Sequence, residues 1–279
     1  MELQRYNGNF SKCLAEVVRA KQKIATAKQG MQYRIEQGVN SDAYKNGFWC
    51  PENFNVVDGR ILAALGDYNP LIPYAEEAVK AHWNNREFYL NDAVLLNGKP
   101  AAEVLKEIAE QDSEKPVYKK RVLDLGQTQT HDVSTDSFAD DKGIVFLARG
   151  KTFADKYGLF LKNKARTPKI TFYLPSVSQE NYSRGLWICR LGLGCRSDFD
   201  GYYRSLDIDN GSLFGVSCER SAEGASQKIS ASEKKSFPYT DEQLNQFLET
   251  AQGIKEGRLE SLQAGKLEEL VLGLKQFIN

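Results

Sequence analysis

The sequence predicts an α+β fold of small mixed or antiparallel sheets packed with helices, followed by a helical C-terminal appendage. Segments of helical apolar period are interspersed with short apolar runs bounded by Gly, Pro, Asn and Asp. Beyond Cys218 the composition shifts to Ser, Ala, Lys and Glu, and two further helical patterns follow. The expected organisation is therefore a domain at 1–219, a linker at 220–237 and the appendage at 238–279.

Residues 9–36 read as one helix, capped by Asn9 or Ser11, with Cys13, Leu14, Val17, Val18 and Ile24 as its apolar stripe. Gly38, Asn40 and Ser41 end it, and 44–51 makes an aromatic turn that bends at Gly47. Asp58 caps a short expected helix through Ile61, Leu62 and Leu65. A helical pattern covers 70–83, strands cover 88–96, and Asn97-Gly98 is a hairpin turn. Pro100 suits the first position of a helix running through Val104, Leu105 and Ile108. Residues 117–125 lean to strand, and the polar span 127–142 is the expected mobile loop. A β-α-β-like passage comes next. Its parts are a strand at 144–148, a helix bearing Phe153, Tyr157, Leu159, Phe160 and Leu161, and a strand at 170–174 closed by Pro175. In the appendage, Leu244, Phe247, Leu248, Ala251 and Ile254 share one helical face, and Leu267, Leu270, Val271, Leu274 and Ile278 share another. Packing or self-association is the expected use of these faces.

Composition excludes several function classes. With 279 residues, 41% hydrophobic and 27% charged, the chain can bury a sizeable core. The formal net charge is zero, so no basic field draws in phosphate, and no nucleic-acid partner is expected. The N-terminus lacks the apolar core of a signal peptide and no apolar run reaches spanning length, which makes a cytoplasmic protein without membrane attachment the expectation. Cys13, Cys50, Cys189, Cys195 and Cys218 form no CxxC and are expected as reduced thiols, though one bridge within the last three stays open.

The stretch 184–218 stands apart. No lysine occurs between Lys169 and Lys228, and Tyr, Ser, Asp, Asn, Gly and Arg fill the space between two apolar runs, 186–188 and 213–216. Such a mixture suits a binding surface, since Tyr offers contact area at little entropic cost and Ser, Gly and Asn offer adaptable hydrogen bonds. It fits equally a strand-turn-strand segment of an ordinary β-rich core. Gly192-Leu-Gly194 is no dinucleotide loop, because Ser197-Asp-Phe-Asp-Gly201 cannot continue as the required helix. Asp207-Ile-Asp-Asn-Gly211 is no calcium loop, because its Gly comes one position early and Glu219 one late. His82 and His131 are the only histidines, and neither belongs to a His-Glu-x-x-His or nucleophile-elbow pattern. Acid-base chemistry on Asp198, Asp200, Asp207 or Asp209 stays open, beside the plainer reading of these residues as turn formers. No catalytic residue, metal ligand or cofactor is expected. The Asn-x-Ser sequons at Asn9, Asn181 and Asn210 carry little weight without an export signal.

Several of these segments together resemble a known family. Ala154-Asp-Lys-Tyr-Gly-Leu-Phe-Leu161, Ile170-Thr-Phe-Tyr-Leu174, Arg184-Gly-Leu-Trp187, Arg196-Ser197, Leu206 and Phe214-Gly-Val216 recur in the same order in the variable proteins of diversity-generating retroelements. The likeness is to their archaeal and small-genome microbial group, which has a C-type-lectin fold. It covers about residues 140–218 and extends faintly to the first helix and Tyr44-Lys-Asn-Gly-Phe-Trp49. It implies a C-type-lectin-like ligand-binding domain whose hypervariable surface, about 189–212, is rewritten at adenine-bearing codons. The implied variable positions are Cys195, Asp198, Asp200, Tyr202, Tyr203, Asp207, Ile208, Asp209, Asn210 and Ser212. The implied scaffold is Trp187, Gly201, Leu206, Leu213, Phe214, Gly215 and Val216. The implied partner is a macromolecule, a protein above all. The alternative is a lectin-like or hydrolytic domain using the same carboxylates, with or without calcium. The chain departs from the family in its Leu213-Phe214 before Gly215 and in its long tail.

Overall fold

The strand Phe48–Val57 is buried at every position, and the rest of the fold is arranged around it. The structure, a computed structural model, describes residues 2–189, 199–201 and 206–217. The first elements are β1 (Leu3–Asn7), α1 (Phe10–Arg19), β2 (Gln22–Ile24), α2 (Ala27–Gln37), α3 (Asp42–Lys45), β3 (Phe48–Val57) and β4 (Arg60–Ala64). The middle holds α4 (Ala75–Trp83), β5 (Phe88–Tyr89), β6 (Leu95–Leu96), β7 (Lys99–Pro100), α5 (Ala101–Gln111), β8 (Val122–Gly126) and β9 (His131–Ser134). The remainder is α6 (Lys142–Ala148), α7 (Lys151–Asn163), β10 (Lys169–Tyr173), β11 (Tyr182–Ile188), β12 (Phe199–Asp200) and β13 (Ser212–Ser217). The linker and helical appendage expected at 220–279 lie outside the described residues.

A mixed sheet runs in the order β1-β13-β3-β11-β12-β10-β9, with β2 beside β13, β5 beside β11, and β4 and β8 continuing from β3. The contacts β13–β3 and β10–β12 are parallel, and the other pairings are antiparallel. Side chains alternate across a strand, so β3 feeds two apolar layers. Phe48, Cys50, Phe54 and Val56 join α2, α6 and α7 in one layer. Trp49 and Val57 join α1, α4 and α5 in the other.

Polar groups inside these layers are bonded where the strand brings them together. Asn53 Nδ2 donates to Asn55 Oδ1 (2.9 Å) and to Ser183 Oγ on β11 (2.8 Å), and Asn55 Nδ2 donates to the carbonyl of Leu62 (3.3 Å). On the opposite face, Glu52 Oε2 accepts from the Ala27 N–H in the first turn of α2 (3.0 Å). Burial lifts the Glu52 carboxyl to a pKa of about 7, against the opposing pull of that N–H and of the positive Arg149.

Four expectations are corrected. The single helix expected at 9–36 is α1, the strand β2 and α2. Lys21 takes a positive φ of 54°, and Thr26 with Gln29 forms a capping box that starts α2 anew. The helix expected after Asp58 is instead the hairpin β3–β4. Asp58 and Gly59 have φ of 49° and 71°, the pair of left-handed residues that a tight hairpin turn requires. The strand expected at 144–148 is α6, whose first turn is capped by Asp141 Oδ1 on the Ile144 N–H (2.8 Å). An apolar run this short has no readable period, and the cap decides it. In the polar span 127–142, expected as a mobile loop, β9 pairs with β10, and His131 Nε2 bonds Asp141 Oδ2 at 2.8 Å.

Glu52 makes stability depend on pH. Its folded pKa lies above the ordinary value of 4.5, so the folded state holds the proton more tightly, and stability falls as pH rises from 4.5 through about 7. Glu52→Gln keeps an acceptor for Ala27 and removes the ionisation. Urea unfolding should find the variant more stable than the parent at pH 8 by on the order of 2 kcal/mol, and much closer to it at pH 5. Parallel pH profiles for the two chains would refute this.

Candidate functional site

Within the stretch singled out in the sequence, the described residues lie at the end of β11, in β12, and from Leu206 into β13. Trp187, near the end of β11, meets Trp49 edge to face (4.9 Å between ring centroids, 77°), and Trp49 meets Phe10 of α1 the same way (5.8 Å, 87°). Two glycines make room for these indoles. A Cβ on Gly47 would stand 2.3 Å from Trp187 Nε1, and one on Gly211 would stand 1.9 Å from Trp49 Cη2. No larger residue fits at either place.

Just past the end of β11, the carbonyl of Cys189 accepts from Arg34 Nη2 (2.7 Å). Arg34 is fully buried, and it also donates from Nε to the Ala43 carbonyl (2.6 Å) and from Nη1 to the Tyr157 hydroxyl (2.9 Å), with its guanidinium over the Phe48 ring. One planar cation thus joins α2, α3, α7 and the end of β11. The strand β12 is held between β11 (Trp187↔Asp200, Ile188↔Phe199) and β10 (Phe172↔Phe199, Tyr173↔Asp200).

The last part begins at Leu206, which is fully buried. Its N–H donates to His82 Nδ1 on α4 (3.0 Å), and its carbonyl accepts from the Phe10 N–H at the start of α1 (2.9 Å). The carbonyl of Gly211 accepts from the Gly8 N–H (3.0 Å), and the Gly211 N–H closes a turn onto the Ile208 carbonyl (3.1 Å). Ser212 Oγ then donates to the Gly47 carbonyl (2.7 Å). Between these anchors Asp207 and Ile208 are half-buried, and Asp209 and Asn210 are exposed.

Because Nδ1 of His82 accepts an N–H, the ring is neutral with its proton on Nε2, which is buried without a partner. Burial, helped by the nearby Arg184 charge and opposed by Asp207, pushes the His82 pKa down to about 4. The ring therefore remains an acceptor for Leu206 throughout the neutral range.

Of the variable positions inferred from the sequence, Asp207, Ile208, Asp209 and Asn210 form the displayed turn. Asp200 and Ser212 do not join it. Asp200 is buried between two neighbouring strands, and Ser212 is buried with its hydroxyl on Gly47, so both belong to the supporting structure. Cys195, Asp198, Tyr202 and Tyr203 lie outside the described residues. Trp187, Leu206, Leu213 and Phe214 are buried, Gly215 lies in β13 against Gln22, and Val216 is half-buried. Among the described residues, no group of three or more His, Cys, Asp or Glu side chains is placed to hold a metal ion. None of the described helices is long and apolar enough to cross a membrane.

Sequence reading missed Arg34, His82, Phe10 and Gly8 as supports of this segment. Phe10 and Gly8 act through main-chain atoms, which carry no side-chain signal. A lone Arg in a helix reads as surface. His82 on an apolar helix face offered the one hint.

The architecture matches a solved structure described as the accommodation of massive sequence variation in Nanoarchaeota by the C-type lectin fold. The TM-score is 0.54 over 77% of this chain and 98% of that one, at 14% identity. The chain has a C-type lectin fold. No family model matches it, and no curated protein does. In this lectin fold the displayed turn hangs from main-chain bonds at Leu206 and Gly211, with Trp49 closing the space beneath Gly211.

Support and display should separate on mutation. Gly211→Ala drives a methyl into the Trp49 indole and is expected to cost about 1–3 kcal/mol. Asn210→Ala, one residue away and exposed, should change stability by less than about 0.5 kcal/mol. Thermal melting of the two variants beside the parent checks the contrast, and equal losses would refute it.

Proposed function

We propose that this chain is a non-enzymatic binding protein whose hypervariable surface, about 189–212, recognises a macromolecular ligand, a protein above all. On this reading the surface is diversified by retroelement mutagenesis at adenine-bearing codons. One observation carries the proposal. The bonds that hold the displayed turn are made to main-chain atoms of Leu206 and Gly211, by His82, Phe10 and Gly8 outside it. Main-chain bonds are indifferent to side-chain identity, so the exposed Asp209 and Asn210 can change freely while the fold stays, and the half-buried Asp207 and Ile208, the latter packed at the edge of a core cluster, within narrower limits. The order of segments that resembles the variable proteins supports the reading. So does the similar solved structure, itself described in terms of massive sequence variation.

The residues suit the task. Tyr202 and Tyr203 would act as anchors, because an aromatic side chain gives contact area with few torsions to freeze, and Asp and Asn would provide an adaptable rim. The fold requires no chemistry of these carboxylates, and the ligand is a property of the variant rather than of the scaffold.

Sequencing sibling copies of the gene, together with any adjacent template repeat, tests the proposal. Substitutions should cluster within 189–212, fall on adenine-bearing codons, and spare Trp187, Leu206 and Gly211. Asp198, Asp200, Asp207 and Asp209 all invariant across diverged copies, with a melting temperature that rises by several degrees in calcium, would overturn it in favour of a lectin-like or hydrolytic site.

A further inference from the structure

The support of the displayed turn continues into a second exposed feature. His82, which holds Leu206, is followed at the end of α4 by Trp83, Asn84, Asn85 and Arg86, and all four are exposed. Trp83 keeps 66% of its surface accessible, although an indole is among the side chains that gain most from burial. The turn that carries it is tied down. The Asn85 N–H donates to the His82 carbonyl (2.9 Å), the Arg86 N–H to the Ala81 carbonyl (3.0 Å), and Asn84 Nδ2 to the Lys80 carbonyl (2.8 Å). Just beyond it, Glu87 accepts from Arg184 on β11, and β5 pairs with β11 at Phe88↔Ser183. An exposed tryptophan on a fixed backbone loses little entropy on binding.

Its position is set by the chain. Trp83 and Asp207 are the immediate neighbours of two residues in hydrogen-bond contact, His82 and Leu206. Consecutive Cα atoms are about 3.8 Å apart, so the backbones at Trp83 and Asp207 lie within roughly 15 Å of one another. An ordinary protein interface covers about 800 Å² on each partner, a patch roughly 30 Å across, and spans both. Trp and Arg are also the residues in which interface hot spots are richest.

We propose that Trp83–Arg86 is a constant arm of the binding face. A protein ligand seated on the displayed turn also covers Trp83, which supplies affinity that does not depend on the variable residues. This inference rests on the reading of 189–212 as the binding surface.

The test uses the full-length chain displayed on yeast, with Tyr202, Tyr203, Asp207, Ile208, Asp209 and Asn210 randomised and lysozyme as the probe protein. Trp83→Ala, introduced into the selected clones, is expected to weaken lysozyme binding at least about tenfold in most of them, with display level and melting temperature unchanged. Trp83→Gln and Arg86→Ala serve if the alanine variant displays poorly. Binders indifferent to all three substitutions would overturn the arm and leave the proposed surface standing. A library that yields no binders would overturn the surface reading and the arm with it. A change in the solution mass of the purified chain on Trp83→Ala, with lysozyme binding intact, would assign Trp83 to a second copy instead and likewise overturn the arm.

Discussion

A strand buried on both faces and paired on both edges leaves its neighbours little freedom, and β3 is such a strand. Most of its polar groups are answered inside the protein, Asn53 Nδ2 by Asn55 and Ser183, Asn55 Nδ2 by the Leu62 carbonyl and Glu52 by the Ala27 N–H, while Asn53 Oδ1 and Trp49 Nε1 are buried without a partner. One edge goes to β11, and the other goes to β4 and, at Trp49, to β13. Through Trp49 it also defines the floor of the candidate surface. That indole touches Trp187 and Phe10 and leaves no room for a Cβ at Gly211. The place where the displayed turn must rejoin the sheet is thereby set by a core residue some 160 positions upstream in the chain.

Burying a guanidinium is costly unless its donors are met. Among the described residues Arg34 meets that condition with neutral acceptors, the carbonyls of Ala43 and Cys189 and the hydroxyl of Tyr157. The arrangement joins three helices to Cys189, just past the end of β11. Taken with the anchors at Leu206 and Gly211, it shows a consistent strategy. The main chain is gripped at Cys189, Leu206 and Gly211, and the grips are built from residues far away in sequence. Between Leu206 and Gly211, the side chains of Asp209 and Asn210 are exposed.

Much of the architecture is legible in the sequence because it is written in local chemistry. Asn9 caps α1, the helix of Phe153 and Tyr157 has an apolar face, and Asn97-Gly98 makes its turn, each a matter of a few neighbouring residues. The reading fails where two local signals compete or where no period can be measured. The stripe of α1 runs on in phase toward Ile24, yet Thr26 and Gln29 restart the helix. Asp58-Gly59 is both an N-cap signal and a hairpin turn, and strand pairing with β3 chooses the turn. Asp141 turns a short apolar run into a helix. At the site, the division of 184–218 into apolar ends and a polar middle is readable, but which polar residues face outward is not. Asp200 and Ser212 share the composition of the displayed turn and differ only in what pairs on either side of them.

The sequence by itself determines the α+β class, the apolar runs that enter the core and the polar stretch between them, because those follow from composition and period. Only the tertiary structure decides which members of that stretch are displayed. Burial and main-chain anchoring depend on β10, β11, α1 and α4 arriving at one place, and no window of sequence contains all four.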